Sequence, residues 1–525
     1  MRMRQTLVAL FVLLAALALT APRAQAAGST LERPQDPVVL TGTDLPWYIG
    51  LDPADIVAFR WKGSWQQVPV QVDERATLDF CDVYGVGGGG GVEVAGQAYA
   101  KPCGITNLFY TDSGTFTGPD PNAALDADDE LVFMAKDAGG QAPGGALPAG
   151  TLVPSRLEVR VTDPLDGAAE GYVYLFLSDG SLSPGAGQQY VTYTFNLLSG
   201  PYLTSYNALN GPNPENSTAT TAYYSHHFSD RSISDEVRIT AGAATGVDIL
   251  DRHKALFAPG VCGRSEDTFA DGEGAFVVNK SGPVRAIRSY VGTNSGPLTQ
   301  RENILYERRQ DVRTFLRVHA ISGIMDFFDY APAASGMTYR NNLNAAGVTM
   351  DGNPESVTQG AIQWESVTGA QGSLVMAQRF VQNISGFAYT SYYLDDSTPD
   401  PPTVQCTGDA FSYGSAGPWI MQAIPCTDPA LGCTNSLANF RTMYYAAPGL
   451  TAADAAALYD QSVSPLTYSV TADPTVGGLA SAPEVAPPSG GSFPWPIALL
   501  AALGLVAAGA GLAWIRVARR RGNAD

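Results

Sequence analysis

Gly171 to Ser178 reads GYVYLFLS. The run is β-branched, aromatic and apolar on both faces, so it predicts a central strand rather than an edge. Just upstream, Arg156 to Thr162 alternates, with Leu157, Val159 and Val161 on one face. Earlier still, Ile56 to Trp61 reads as a strand and Lys62-Gly63 as a turn. Trp65 to Asp73 then returns with Val68, Val70 and Val72 in phase. Pro69 cannot donate to a ladder, which predicts an edge strand or a bulge there. A further strand, Leu131 to Ala135, follows an acidic loop. These elements predict a small N-terminal β domain over residues 27–180. It ends at SLSPGAGQQ, Ser181 to Gln189, which has linker composition.

From Tyr190 the rhythm is strand after strand. The clearest are Tyr190 to Leu197, Glu236 to Thr240, Ala275 to Asn279, Val284 to Val291, Asp311 to Ile321, Ala361 to Val367, Ser373 to Phe380 and Phe387 to Leu394. No fixed period repeats, which disfavours a propeller. The fold class expected is mainly β, with a large antiparallel β-sandwich over residues 190–470. One helix is expected near its end: Thr451 caps it, Asp454 completes a capping box, and AADAAALYDQ follows. Leu466 to Val470 is expected to close the large sandwich.

The two ends of the chain read as an expected signal peptide and an expected membrane anchor. Residues 1–26 have Arg2 and Arg4, an apolar stretch from Leu7 to Leu19, and Ala24-Gln25-Ala26 as a cleavage site. A Pro/Gly/Ser-rich linker, 471–493, leads into PWPIALLAALGLVAAGAGLAWI, Pro494 to Ile515. At about 22 uncharged residues this is long enough to cross roughly 30 Å of hydrocarbon as a helix. The basic end, 516–525, has Arg516, Arg519, Arg520 and Arg521 and is expected to stay cytoplasmic. The expectation is a single-pass membrane protein with its N-terminal part outside the cell.

The net charge is −19, which argues against nucleic acid as a partner. Six cysteines lie in the part expected outside, at Cys81, Cys103, Cys262, Cys406, Cys426 and Cys433, where oxidation to disulfides is expected. Cys81 and Cys103 flank the glycine run Gly87 to Gly91. Six cysteines allow fifteen pairings, so connectivity stays open. The chain has no phosphate-binding G-x-x-x-x-G-K, no G-x-G-x-x-G after a strand, no H-E-x-x-H and no G-x-S-x-G. It thus gives no nucleotide, flavin or haem signal.

Two stretches carry candidate chemistry. In the first, Asp120, Asn122, Asp126, Asp128, Asp129 and Glu130 crowd together before the strand at Leu131. Hard oxygen donors at this density suit Ca²⁺. The spacing is not an EF-hand, because Ala124 occupies a ligand position and the turn glycine is missing. A solvated acidic turn with local backbone bonds is the plainer reading. In the second, Lys280 to His319 reverses the local charge with Arg285, Arg288, Arg301, Arg308, Arg309, Arg313 and Arg317. Strand periodicity puts Arg313, Phe315, Arg317 and His319 on one face. Arginine grips carboxylates bidentately, so with Tyr306 these residues form a candidate surface for an acidic polysaccharide. The plainer reading pairs the arginines with the chain's own carboxylates. His226 and His227 are a further set, of which one side chain at most enters any single site, since neighbours on a strand face opposite ways.

The tail Ser489-Gly490-Gly491-Ser492-Phe493, one span and an arginine cluster resembles the GlyGly-CTERM sorting signal of bacterial surface proteins. That resemblance implies processing by a rhombosortase-type protease; a plain single-pass anchor reads the same. The strands GPVRAIRSYVG and QWESVTGAQGSL resemble those of secreted carbohydrate-active proteins with a galactose-mutarotase-like sandwich, as in polysaccharide lyases. The resemblance implies a β-sandwich that binds or processes a polysaccharide and transfers no catalytic residue. The alternative is a structural or adhesive surface protein without chemistry.

Overall fold

The computed structural model describes residues 28–472, apart from 86–92, 95–96, 99–103, 146, 154, 199–214, 230–233, 258–273, 293–297, 317–321, 399–410 and 426–435. The expected signal segment and membrane span lie outside the described residues. Among those described, no helix is long and apolar enough to cross a membrane. The fold is mainly β, built from antiparallel sheets.

Asp166–Leu177 is a central strand, as its composition requires. It lies between Leu157–Asp163 and Ile56–Trp61 in a five-stranded sheet whose edges are Trp65–Val68 and Thr467–Ala472. Leu157, Val159 and Val161 are buried, as the alternation predicts. Pro69 does more than bulge the chain. The strand stops at Val68 and resumes as Gln71–Asp73 in a different, three-stranded sheet with Glu130–Met134 and Pro37–Thr41. The two sheets share a core of Leu40, Leu131, Phe133, Val159, Val173 and Leu175.

The strand expected to close the large sandwich lies elsewhere. Thr467–Ala472 pairs with Leu157–Asp163, Val470 opposite Val159, and so completes the N-terminal sheet. The reason is hydrophobic: Leu466, Tyr468, Val470 and Ala472 pack on the N-terminal core. Arg33 fastens the return, donating to the carbonyls of Gln461 and Ser464 and pairing with Asp36 and Asp163.

Within the remainder, a nine-stranded sheet runs in the order Gly274–Ser281, Ala286–Gly292, Gln300–Leu305, Arg309–Leu316, Leu437–Ala446, Gly372–Gln382, Trp364–Gly369, Thr338–Asn341, Asn344–Thr349. Its inner face packs on two four-stranded sheets through Leu374, Met376, Met443, Tyr445, Phe328 and Tyr224. The outer face is covered at one end by Phe80, Tyr110 and Met134 of the N-terminal region. Near the other end it is covered by the helix Ala452–Val463, which seats Ala455 against Val375, Ala377 and Tyr444. Thr451 and Asp454 form the expected capping box. Between these two covers, part of the outer face is half-exposed.

Candidate functional site

The half-exposed region takes its residues from three adjacent strands. Antiparallel register sets Arg313 opposite Phe440 and Phe440 opposite Arg379. This gives one cross-strand row, guanidinium–ring–guanidinium, with about 4.5–5.5 Å between successive Cβ atoms. Phe315 occupies the next row, its ring edge-on to Phe440 at 5.8 Å. Arg379 lies over the Phe440 ring, 5.2 Å from its centroid.

The two arginines differ in their electrostatics. Arg313 stands 3.8 Å from Glu302. Burial opposes its charge, but Tyr110, Glu302 and Glu130 outweigh it and hold its pKa above the ordinary value. Arg379 has no carboxylate partner among the described residues, and burial pulls its pKa below the ordinary value. An uncompensated, half-buried guanidinium beside an aromatic ring suits a ligand carboxylate or sulfate.

The other arginines of this stretch are largely consumed internally. Arg285 pairs with Asp73 and Glu130, Arg288 with Glu215, and Arg309 with Asp36 and Asp311. Of the five residues expected to bind ligand, Arg313 and Phe315 share one face, as expected. Tyr306 does not join them. It is fully buried and accepts from Arg285 Nη1 at 3.3 Å, because its strand turns it into the contact with the N-terminal region. Arg317 and His319 lie outside the described residues. Phe440 and Arg379 went unnoticed in the sequence. They come from strands far along the chain, and only the register brings them to Arg313.

The two adjacent histidines separate as strand geometry requires. His226 is buried between Gln310 and Ser234, and burial lowers its pKa to about 3. His227 faces outward and contacts Asp235 and Asn216.

The acidic loop folds back on itself. Asp126, Asp128 and Asp129 bring carboxylate oxygens within 4.8 Å of one another, and Glu74, Asp120 and Asp129 do the same. Asp129 is buried and accepts the backbone N–H groups of Arg75 and Asp126. Glu74 Oε2 and Asp120 Oδ2 are buried without a protein hydrogen-bond partner. Burial, reinforced by Asp129 and Asp120, pushes Glu74 up to about 7; burial and Asp126 do the same to Asp128. Such crowding suits a divalent cation. Asn122 contributes differently from expectation, its amide donating to Asp126 at 3.1 Å. Glu130 points away from the cluster, and its carboxylate is taken up by Arg75, Arg285 and Tyr110, each at 2.7 Å. It is therefore no metal ligand. Glu74 was missed because it belongs to another segment of chain. Cys81 is not a free thiol; the other five cysteines lie outside the described residues.

No family model matches the chain, and no curated protein does. Among solved structures, a putative aldose 1-epimerase from Escherichia coli K12 is 10% identical, covering 48% of this chain and 99% of that one, with a TM-score of 0.26. A protein in the glycosyl hydrolase family 38 from Enterococcus faecalis is 11% identical, covering 85% of this chain and 47% of that one, with a TM-score of 0.36. Scores this low carry no argument about function.

Proposed function

We propose that the chain is an exported, membrane-held surface protein that binds an acidic polysaccharide along the row Arg313–Phe440–Arg379. The observation that supports this reading is Arg379, a guanidinium without a carboxylate partner among the described residues, set over a half-exposed ring. Two guanidiniums flanking an aromatic ring fit successive charged sugars, with a CH face on the ring and carboxylates on the arginines. The test is retention of a panel of acidic and neutral polysaccharides by the full-length protein, followed together with their chain length. Retention of the acidic members without shortening is the expected result. Shortening would make the protein an enzyme, and no retention would end the glycan reading.

The acidic loop, in this reading, holds Ca²⁺ through Asp126, Asp128, Asp129, Asp120 and Glu74. The support is the pair of buried, unpartnered oxygens on Glu74 and Asp120. The cation would order the loop beside the strand Arg75–Asp79 and so brace the N-terminal cover of the sheet. At the C-terminus, the strand Thr467–Ala472 sets the N-terminal sheet next to the proposed linker and span. A rhombosortase-type protease would act beyond that point.

A second reading, a structural surface protein without a ligand, draws on the internal pairing of Arg285, Arg288 and Arg309. It predicts that Arg379→Ala changes stability alone and no retention.

A further inference from the structure

The five-stranded N-terminal sheet has two ends, and the strand Thr467–Ala472 tells them apart. It runs antiparallel to Leu157–Asp163, with Thr467 opposite Thr162 and Ala472 opposite Leu157. The chain therefore leaves this sheet at the Leu157 end. The hairpin that carries Leu165 lies at the other end, about 20 Å away along the strand. From Ala472, 21 residues lead to Pro494, where the proposed span begins. They can reach at most about 75 Å, so they tether the Leu157 end to the bilayer.

What projects at that end is apolar. Leu152 and Val153 are 47% and 63% exposed. Among the described residues seven large apolar side chains are exposed, and these two alone are neighbours in sequence. Their backbone is pinned on both sides and cannot turn them inward. Upstream, Thr151 bridges Ser178, and the Asp179 N–H donates to the Gly150 carbonyl at 2.9 Å. The Leu152 N–H donates to the Leu177 carbonyl at 2.8 Å, and the Leu152 carbonyl accepts from Ser155 Oγ at 2.6 Å. Ser155 is held in turn, its Oγ by the Leu177 N–H at 3.1 Å and its carbonyl by the Tyr48 hydroxyl at 2.5 Å. Two adjacent apolar side chains fixed in water at the tethered end of a sheet suit insertion into a membrane interface.

The charges beside the tip select the lipid. Asp55 and Asp179 are exposed there; the Asp55 carbonyl accepts the Ser178 N–H at 2.8 Å. The basic Arg156 is buried. An anionic headgroup would be repelled by such a surface, and a zwitterionic one would not. Two side chains hold a free bilayer weakly. A tether raises their effective concentration at the surface to the order of 1 mM, at which weak contacts become populated.

We propose, resting on the reading of Pro494 to Ile515 as a membrane span, that Leu152 and Val153 dip into the bilayer that holds the chain. Their partner is a zwitterionic lipid surface, and the contact stands the N-terminal sheet on its Leu157 end.

The test uses full-length protein in phosphatidylcholine nanodiscs whose acyl chains carry a spin label. An environment-sensitive fluorophore is attached at Val153→Cys or, at the opposite end of the same sheet, at Leu165→Cys. The expected result is quenching of at least about twofold at position 153 and none at position 165. Leu152→Ser should reduce the quenching at position 153, and so should replacing much of the lipid by phosphatidylglycerol. Quenching at both positions alike, at position 165 alone or at neither would overturn the proposal while leaving the anchor in place. Quenching at position 153 that neither Leu152→Ser nor phosphatidylglycerol reduces would overturn it as well. A chain that stays out of the nanodiscs altogether would overturn the anchor reading, and the membrane contact with it.

Discussion

Glu130 shows how far one side chain is committed by its neighbours. Burial alone would raise its pKa, but the Arg75 and Arg285 guanidiniums outweigh that and hold it down to about 2. Glu130→Gln leaves two buried guanidiniums short of a counter-charge, and the expected loss is about 3–5 kcal/mol in urea unfolding. A loss below about 1 kcal/mol would contradict the burial of this pair. The pH dependence follows the depressed pKa. The stability Glu130 supplies is fully present above its ordinary value near 4.5 and is lost as pH falls through that value toward 2. The variant should lack this part of the acid-unfolding profile. The sequence placed Glu130 with the calcium ligands because it is contiguous with Asp129. The strand begins at Glu130, one residue before the expected start at Leu131, and the Glu130 carboxylate goes to Arg75 and Arg285 instead.

Among elements, the strand Thr467–Ala472 departs furthest from expectation. Its alternation was readable, but which sheet it joins was not, because an antiparallel edge is open to any strand with matching apolar residues. Its loss should expose one side of Leu157–Asp163. A chain ending at Ser464 is expected to lose amide protection along that strand while keeping it in Leu437–Ala446. Equal protection with and without the strand would contradict the pairing. The helix Ala452–Val463 was legible from its capping box, and Thr451→Ala should cost about 1 kcal/mol. Pro69 was read as the mark of an edge strand or a bulge, and Trp65–Val68 and Gln71–Asp73 are both edge strands. The sequence did not reveal that the chain changes sheets there, since a missing N–H ends a ladder without saying where the chain goes next.

For the whole molecule, the mainly β class and about half of the described strands followed from alternation and turn residues; Ile324–Tyr330, Ser412–Ile420 and Leu437–Ala446 were among those not read. The candidate row did not follow from them, since Arg313, Phe440 and Arg379 meet only through register across three strands. Arg313 and Phe315 carried half the signal. The acidic loop supplied four of its five proposed ligands, and Glu74 came from elsewhere. Its crowding gives a stability profile with the opposite sign to that of Glu130. With Glu74 and Asp128 raised to about 7, the stability due to their protonation is complete below their ordinary carboxylate values and is lost as pH rises through about 7. Metal-free protein should therefore melt lower at pH 8 than at pH 5, and Ca²⁺ should restore the melting temperature mainly at pH 8. Identical melting in calcium and in chelator at pH 8 would remove the cation from the account.

The most direct measurement is the affinity of the full-length protein for a polyuronate and for its methyl ester, taken for the wild type and for Arg379→Ala. The account predicts binding of the polyuronate that weakens with salt, a loss of about tenfold on Arg379→Ala with the fold intact, and little binding of the ester by either protein. Equal affinity for acid and ester, or for wild type and variant, would contradict it.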